Sequence, residues 1–154
     1  MLNPDVLATL IDERKALPGA LLPILHAVQD RLGYIPDAAV PLIAKAVNQT
    51  RAEVHGVITY YKHFRRHPPG EHVLQVCRAE ACQANGADGL VAHVRARLGC
   101  DFHQTSRDGK VTLEPVYCLG HCAVGPNIQL DDDLYARVGA DELDELIRNL
   151  KPAT

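Results

Sequence analysis

A chain of 154 residues, 47% of them apolar and 23% charged, is long enough to bury a core and has the balance of an ordinary globular protein, which excludes a disordered or fibrous polymer. Its formal net charge of -3, from 16 Lys and Arg against 19 Asp and Glu, supplies no positive field to gather a polyanion, so nucleic acid is not an expected partner. The most apolar stretch, ALPGALLPIL, is broken by two prolines and a glycine and has about half the length that a bilayer span needs, so no direct membrane insertion is expected.

The chain opens on MLNPDVLATLIDERK, where Asp5 and Asp12 stand in place of the basic start of a secretory signal, and a cytoplasmic location is expected. Asn3 and Pro4 form a cap and first-turn pair for a helix whose apolar residues are Val6, Leu7, Leu10 and Ile11. Leu21, Leu25, Val28 and Leu32 recur at helical spacing, and Gly33 supplies a left-handed stop before Tyr34. Asp37 is placed to cap a third helix with Ile43, Ala46 and Val47 on its inner face, Pro41 lying close enough to the start to be tolerated. Thr50 and Glu53 have capping-box spacing, and Val54, Val57, Ile58, Tyr61 and Phe64 make the stripe of a fourth helix.

KHFRRHPPGEH then interrupts the pattern, because Pro68, Pro69 and Gly70 cannot continue a helix. The boundary is drawn there, with a helical segment of about four helices at 1–68 and a second domain at 69–154. Beyond it the period changes to strand at 72–77, helix at 89–98 and strand at 111–117. Segments 127–130 and 134–138 flank Asp131, Asp132 and Asp133 as a hairpin, and Leu143, Leu146, Ile147 and Leu150 mark a last amphipathic helix. The fold class is α/β.

Five cysteines in a reducing compartment point to metal or redox chemistry rather than a disulfide framework. Four of them fall in two pairs, each directly after a predicted strand: Cys77 and Cys82 in CRAEAC, Cys118 and Cys122 in CLGHC. Two such turns on neighbouring strands can face one another, and Gly120 permits a backbone angle that another residue would resist. Gly86, Gly125 and Pro126 are suited to tight loops that turn backbone N–H groups toward sulfur. Four thiolates suit a tetrahedral zinc or an iron–sulfur cluster. Structural zinc commonly uses C-x2-C knuckles, whereas C-x4-C occurs at ferredoxin sites and each iron of an elongated [2Fe-2S] rhomb takes two thiolates, so the spacing favours the cluster. A zinc-stabilised interaction module and a thiol redox sensor remain the readings from other classes.

CRAEACQ at 77–83, CLGHCAVGP at 118–126, GYIP at 33–36 and VITYYKHF at 57–64 together resemble, in the same order along the chain, the small thioredoxin-like [2Fe-2S] subunit family of NADH:quinone oxidoreductase (complex I). The module also occurs in related soluble NAD-linked enzymes. Within it, CRAEACQANGAD and HFRRHPPGEHVLQVCR are most similar to the gamma subunit of cytosolic NAD-dependent formate dehydrogenases, complex I members more often carrying a CTGTAC-like first motif. The resemblance implies an N-terminal helical bundle followed by a thioredoxin-like domain, with Cys77 and Cys82 ligating one iron and Cys118 and Cys122 the other. It further implies a flavoprotein partner carrying FMN and the NAD(H) site, and a larger molybdenum- or tungsten-containing subunit. This chain then has no catalytic centre beyond electron transfer, and a homodimer is admitted when it is isolated. The equivalent subunit of complex I or of an NAD-linked hydrogenase is the nearest alternative.

Other conspicuous residues are read blandly. His121 lies between two cysteines but a shell of four sulfurs leaves it solvent-facing or hydrogen-bonded beside the site, and Cys100 is a spare thiol. Arg78 and Glu80 are read as a solvated loop face. Tyr61 and Phe64 are read as core, Tyr60, His63, Arg65, Arg66 and His67 as surface or partner contacts, and the aspartate run 131–133 as a solvated turn rather than a cation site.

Overall fold

The computed structural model describes residues 4–151, and the chain divides into two compact units between Pro68 and Pro69. In the first, α1 (Pro4–Asp12), α2 (Leu21–Leu32), α3 (Val40–Ala46) and α4 (Arg51–Tyr60) enclose Leu7, Ile11, Ile24, Leu25, Val28, Ile43, Val54 and Ile58. The expected Asn3 cap lies outside the described residues. Gly33 stops α2 with a φ of 80°, its N–H donating to the Gln29 carbonyl. Thr50 and Glu53 close a reciprocal box on α4: the Thr50 hydroxyl accepts the Glu53 N–H at 3.2 Å and the Glu53 carboxylate accepts the Thr50 N–H at 2.7 Å.

Two expectations fail here for identifiable reasons. Asp37 does not cap α3, which is entered through a single 3-10 turn at Asp37–Ala39; the carboxylate is instead held by the Arg66 guanidinium at 2.9 and 3.1 Å. Tyr61 is not core. α4 ends at Tyr60, so the helical stripe no longer governs Tyr61, which is 44% exposed, whereas Phe64 is buried against the rings of His26 and His63. The returning segment is fastened by Gln29, a buried amide satisfied at both ends: it donates to the His63 carbonyl at 2.8 Å and accepts the Arg65 N–H at 2.7 Å.

The second unit is a five-stranded sheet with three helices. In chain order it contains β1 (His72–Cys77), α5 (Glu80–Ala84), α6 (Ala87–Leu98), β2 (Gln104–Thr105), β3 (Val111–Val116), β4 (Asn127–Leu130), β5 (Asp133–Ala136) and α7 (Ala140–Arg148). The sheet order is β2-β3-β1-β4-β5. Only β1 and β3 run parallel, with His72 opposite Val111 and Cys77 opposite Val116, the chain crossing between them through α5 and α6 as a parallel pair requires. Leu74, Val76, Leu113 and Ile128 from the three central strands pack with Val91 and Val94 of α6 and Leu143 of α7. Two elements had no readable signal in the sequence: α5 spans five residues, too few to display a period, and β2 is a polar edge of two residues.

Pro69 and Gly70 belong to this unit rather than to a free linker. The Gly70 N–H donates to the Thr112 hydroxyl at 2.6 Å, and a Cβ at Gly70 would stand 2.8 Å from the Gly109 carbonyl oxygen. Glycine is required there by close backbone approach.

Where β1 begins, His72 is clamped between two acceptors: its Nδ1 faces the Asp131 carboxylate at 2.7 Å and its Nε2 the Lys151 carbonyl at 2.7 Å. Only the imidazolium can donate to both. The Asp131 hydrogen bond, acting against burial, raises the His72 pKa above its ordinary value. A folded pKa above the unfolded one stabilises fully below the unfolded value of about 6.5, and the contribution disappears as pH rises through the folded value. The thermal midpoint of His72→Gln is therefore expected to fall furthest below wild type at about pH 5.5 and to approach it by about pH 9. An equal gap at both pH values would remove this role.

Candidate metal centre

The parallel pairing of β1 and β3 brings both thiol turns to the same end of the sheet. Cys77 is the last residue of β1 and Cys82 sits on α5; both are 1% exposed and pack with Ala79, Ala87, Val116 and Leu119. Cys118 and Cys122 follow β3 and are exposed, Cys122 opening a 3-10 turn. The ladder continues one step past β1, where the Arg78 N–H donates to the Val116 carbonyl at 2.7 Å, and Gln83 donates to the Arg78 carbonyl at 2.7 Å. The first turn is thus anchored to both the sheet and its own helix.

The sulfurs are arranged as two pairs. Cys118 and Cys122 lie 3.6 Å apart, and Cys77 and Cys82 share one buried cluster. All five cysteines are free thiols. Burial, then the neighbouring Cys77 thiol, pushes the Cys82 pKa upward. The bond with Cys118, then its charge, pushes Cys122 upward, and the charge of Cys77 adds to the effect. Thiolates at these positions therefore repel one another across the gap, and a cationic centre relieves that repulsion. Among the described residues no three Cys, His, Asp or Glu side chains gather as a group suited to one ion. A tetrahedral zinc takes its donors at one point, whereas an elongated diiron centre takes them two by two.

N–H groups are aimed at sulfur from two places. Gly120, with a φ of 83°, donates its backbone N–H to Cys118 at 3.3 Å. The Asn127 side-chain amide donates to Cys82 at 3.6 Å and also to the His121 carbonyl at 2.7 Å. Gly125 acts through its missing side chain, since a Cβ would lie 3.3 Å from the Cys82 sulfur. Gly86, with a φ of 93°, instead turns the chain from α5 into α6.

The remaining candidates fall elsewhere. Cys100 packs against the core of the sheet unit beyond the end of α6, and burial raises its pKa. Arg78 turns to Asp88 at 3.1 Å and lies over the Phe102 ring, while Glu80 is exposed. The His121 side chain is exposed, and its carbonyl makes the contact to Asn127. Asp131 uses its carboxylate on the Val73 N–H and His72. Tyr60 is 77% exposed. Sequence reasoning missed Asn127, which reads as an ordinary strand start and reaches Cys82 only because β4 pairs beside β1.

The model of the thioredoxin-like [2Fe-2S] ferredoxin family matches residues 7–151. A protein of Escherichia coli (strain K12), named as one of the subunits of NADH-quinone oxidoreductase, is 36% identical over 132 residues, covering 86% of this chain and 80% of its own. Its namesake from Pseudomonas aeruginosa is 35% identical over 128 residues, covering 83% and 77% respectively. In solved structures, an NAD+-reducing [NiFe]-hydrogenase in the air-oxidized state superposes with a TM-score of 0.62 at 19% identity, over 94% of this chain. The match spans 22% of the hydrogenase chain, and the likeness is one of fold.

Proposed function

The chain belongs to the thioredoxin-like [2Fe-2S] ferredoxin family, and from that premise we propose that it is the electron-transfer subunit of an NADH-linked oxidoreductase, with Cys77 and Cys82 holding one iron and Cys118 and Cys122 the other. The observation that carries this reading is the two-by-two arrangement of four thiols at one end of neighbouring parallel strands. When bound, the cluster takes up and releases electrons singly, as a flavin needs if it is to divide the pair delivered by hydride. The chain's own residues do the rest. Rigid strand ends fix the sulfur spacing, the Gly120 N–H and the Asn127 amide face the sulfur charge, and the Cys118 and Cys122 side is open beside Tyr117, which is 70% exposed. That open side is where a redox partner meets the site.

The partner in this reading is a flavoprotein subunit with FMN and NAD(H), in the cytoplasm, and residues 1–68 and 69–154 act as helical and cluster-bearing domains. No helix among the described residues is long and apolar enough to cross a membrane. Three parent assemblies are in contention, an NAD-linked hydrogenase being the third. The likeness of CRAEACQANGAD and HFRRHPPGEHVLQVCR to formate dehydrogenase gamma subunits supports a cytosolic molybdenum- or tungsten-containing formate dehydrogenase. The name carried by the relatives supports an NADH:quinone oxidoreductase. Affinity isolation of the native complex, followed by formate-dependent NAD+ reduction, NADH:quinone reduction and hydrogen-dependent NAD+ reduction, separates them. Formate activity with co-purifying molybdenum or tungsten is the expected result. A complex lacking flavin and iron would end the whole reading, and a monomeric or dimeric chain purified alone is distinguished by its mass.

A further inference from the structure

Asn127 is 1% exposed, yet its side chain is only half satisfied. The Nδ2 group serves two acceptors, the Cys82 sulfur at 3.6 Å and the His121 carbonyl at 2.7 Å, while Oδ1 has no hydrogen-bond partner. A buried carbonyl oxygen without a partner is destabilising, a cost that leucine, of similar shape, would spare. What the amide offers at this position is its donors. Those donors reach one ligand of the buried thiol pair and the backbone immediately before Cys122 in the other, so a single side chain spans both turns. It is also rigidly mounted: Asn127 begins β4, whose next residue Ile128 pairs with Val76 of β1.

Building on the ligand assignment above, we propose that Asn127 is a positioning residue that locks the two cysteine turns together and sets the cluster's reduction potential through its N–H bond to Cys82. Reduction adds negative charge to the sulfurs, so a donor at Cys82 favours the reduced form more than the oxidised one, and its removal makes reduction harder. The second bond, to the His121 carbonyl, holds the Cys118 and Cys122 turn in register with Cys82. A role confined to packing would leave the potential alone, since leucine fills the same volume.

The test uses the full chain reconstituted with iron and sulfide, as wild type, Asn127→Leu and Asn127→Asp, with folding checked by circular dichroism, iron counted, and the potential read by dye-mediated titration followed by visible absorbance and EPR. Asn127→Leu is expected to lower the reduced-to-oxidised ratio at fixed ambient potential about tenfold, equivalent to about 59 mV for one electron. Asn127→Asp, which replaces the donors with a carboxylate, is expected to lower it further. Wild-type potential in a fully loaded Asn127→Leu overturns the proposal. If a folded Asn127→Leu does not retain iron, Asn127→Asp decides: loss of iron or a lowered potential upholds the role, and a loaded cluster at the wild-type potential overturns it. Failure of the wild type itself to bind iron and sulfide would instead overturn the ligand assignment.

Discussion

Substitution of Cys77 or Cys82 by serine is expected to abolish stable [2Fe-2S] binding, whereas serine at Cys118 or Cys122 is expected to leave a fraction of the protein loaded but prone to lose iron. The difference follows from burial. Cys77 and Cys82 are 1% exposed and packed among Ala79, Ala87, Val116 and Leu119, so a serine there places a hydroxyl in a largely apolar pocket shut off from water as well as presenting iron with a harder, shorter ligand. At the exposed Cys118 and Cys122, water can satisfy the hydroxyl, and the penalty is confined to the ligand exchange. Cys100→Ser, outside the thiol group and packed beside the sheet core, is expected to retain full iron and an unchanged visible spectrum. Iron and sulfide assays on anaerobically prepared variants, with EPR of the dithionite-reduced protein, read all five. Full loading of Cys77→Ser or Cys82→Ser, or loss of iron from Cys100→Ser alone, would remove the four-sulfur assignment.

The thiol spacing and the strand ends that carry it were legible because each has a local cause. A capping box, a left-handed glycine and a period change are written in consecutive residues, and β1, ending at Cys77, follows from its pattern of apolar side chains. What escaped depends on distance. Asp37 has the right residue type for a cap, but Arg66, twenty-nine positions away, takes its carboxylate. Tyr61 fits the stripe of α4, but the helix ends one residue earlier. Asn127 and Cys82 lie forty-five positions apart and meet because β4 pairs beside β1, a register that spacing alone does not reveal. The same holds for Gly125, whose missing side chain matters because α5 passes against it.

A large loss of stability from a single side chain away from the thiols is expected at Ile128. It is 0% exposed and lies in β4 between Val76 of β1 and Tyr135 of β5, in the apolar cluster that joins the sheet to α6 and α7. Truncation to alanine removes three carbons from a close-packed site whose neighbours, held in a ladder, cannot collapse into the space. The cost for such changes is about 2–5 kcal/mol. For a unit of this size each kcal/mol lowers the midpoint by about 4–8 °C, so a fall of at least ~8 °C is expected. Leu134→Ala on β5, where the side chain is 38% exposed, provides the contrast and is expected to shift the midpoint far less. Loss of visible cluster absorbance on heating reports this unit specifically, since all four thiols lie in it, while far-UV circular dichroism reports both units. Because Ile128 offers no donor to sulfur, the reduction potential of Ile128→Ala below its midpoint is expected to match wild type, opposite to the behaviour of Asn127→Leu next to it. A midpoint within ~2 °C of wild type would remove the packing role given to Ile128, and a potential shift as large as that of Asn127→Leu would mean that β4 acts on the site through its packing rather than through the amide at its first position.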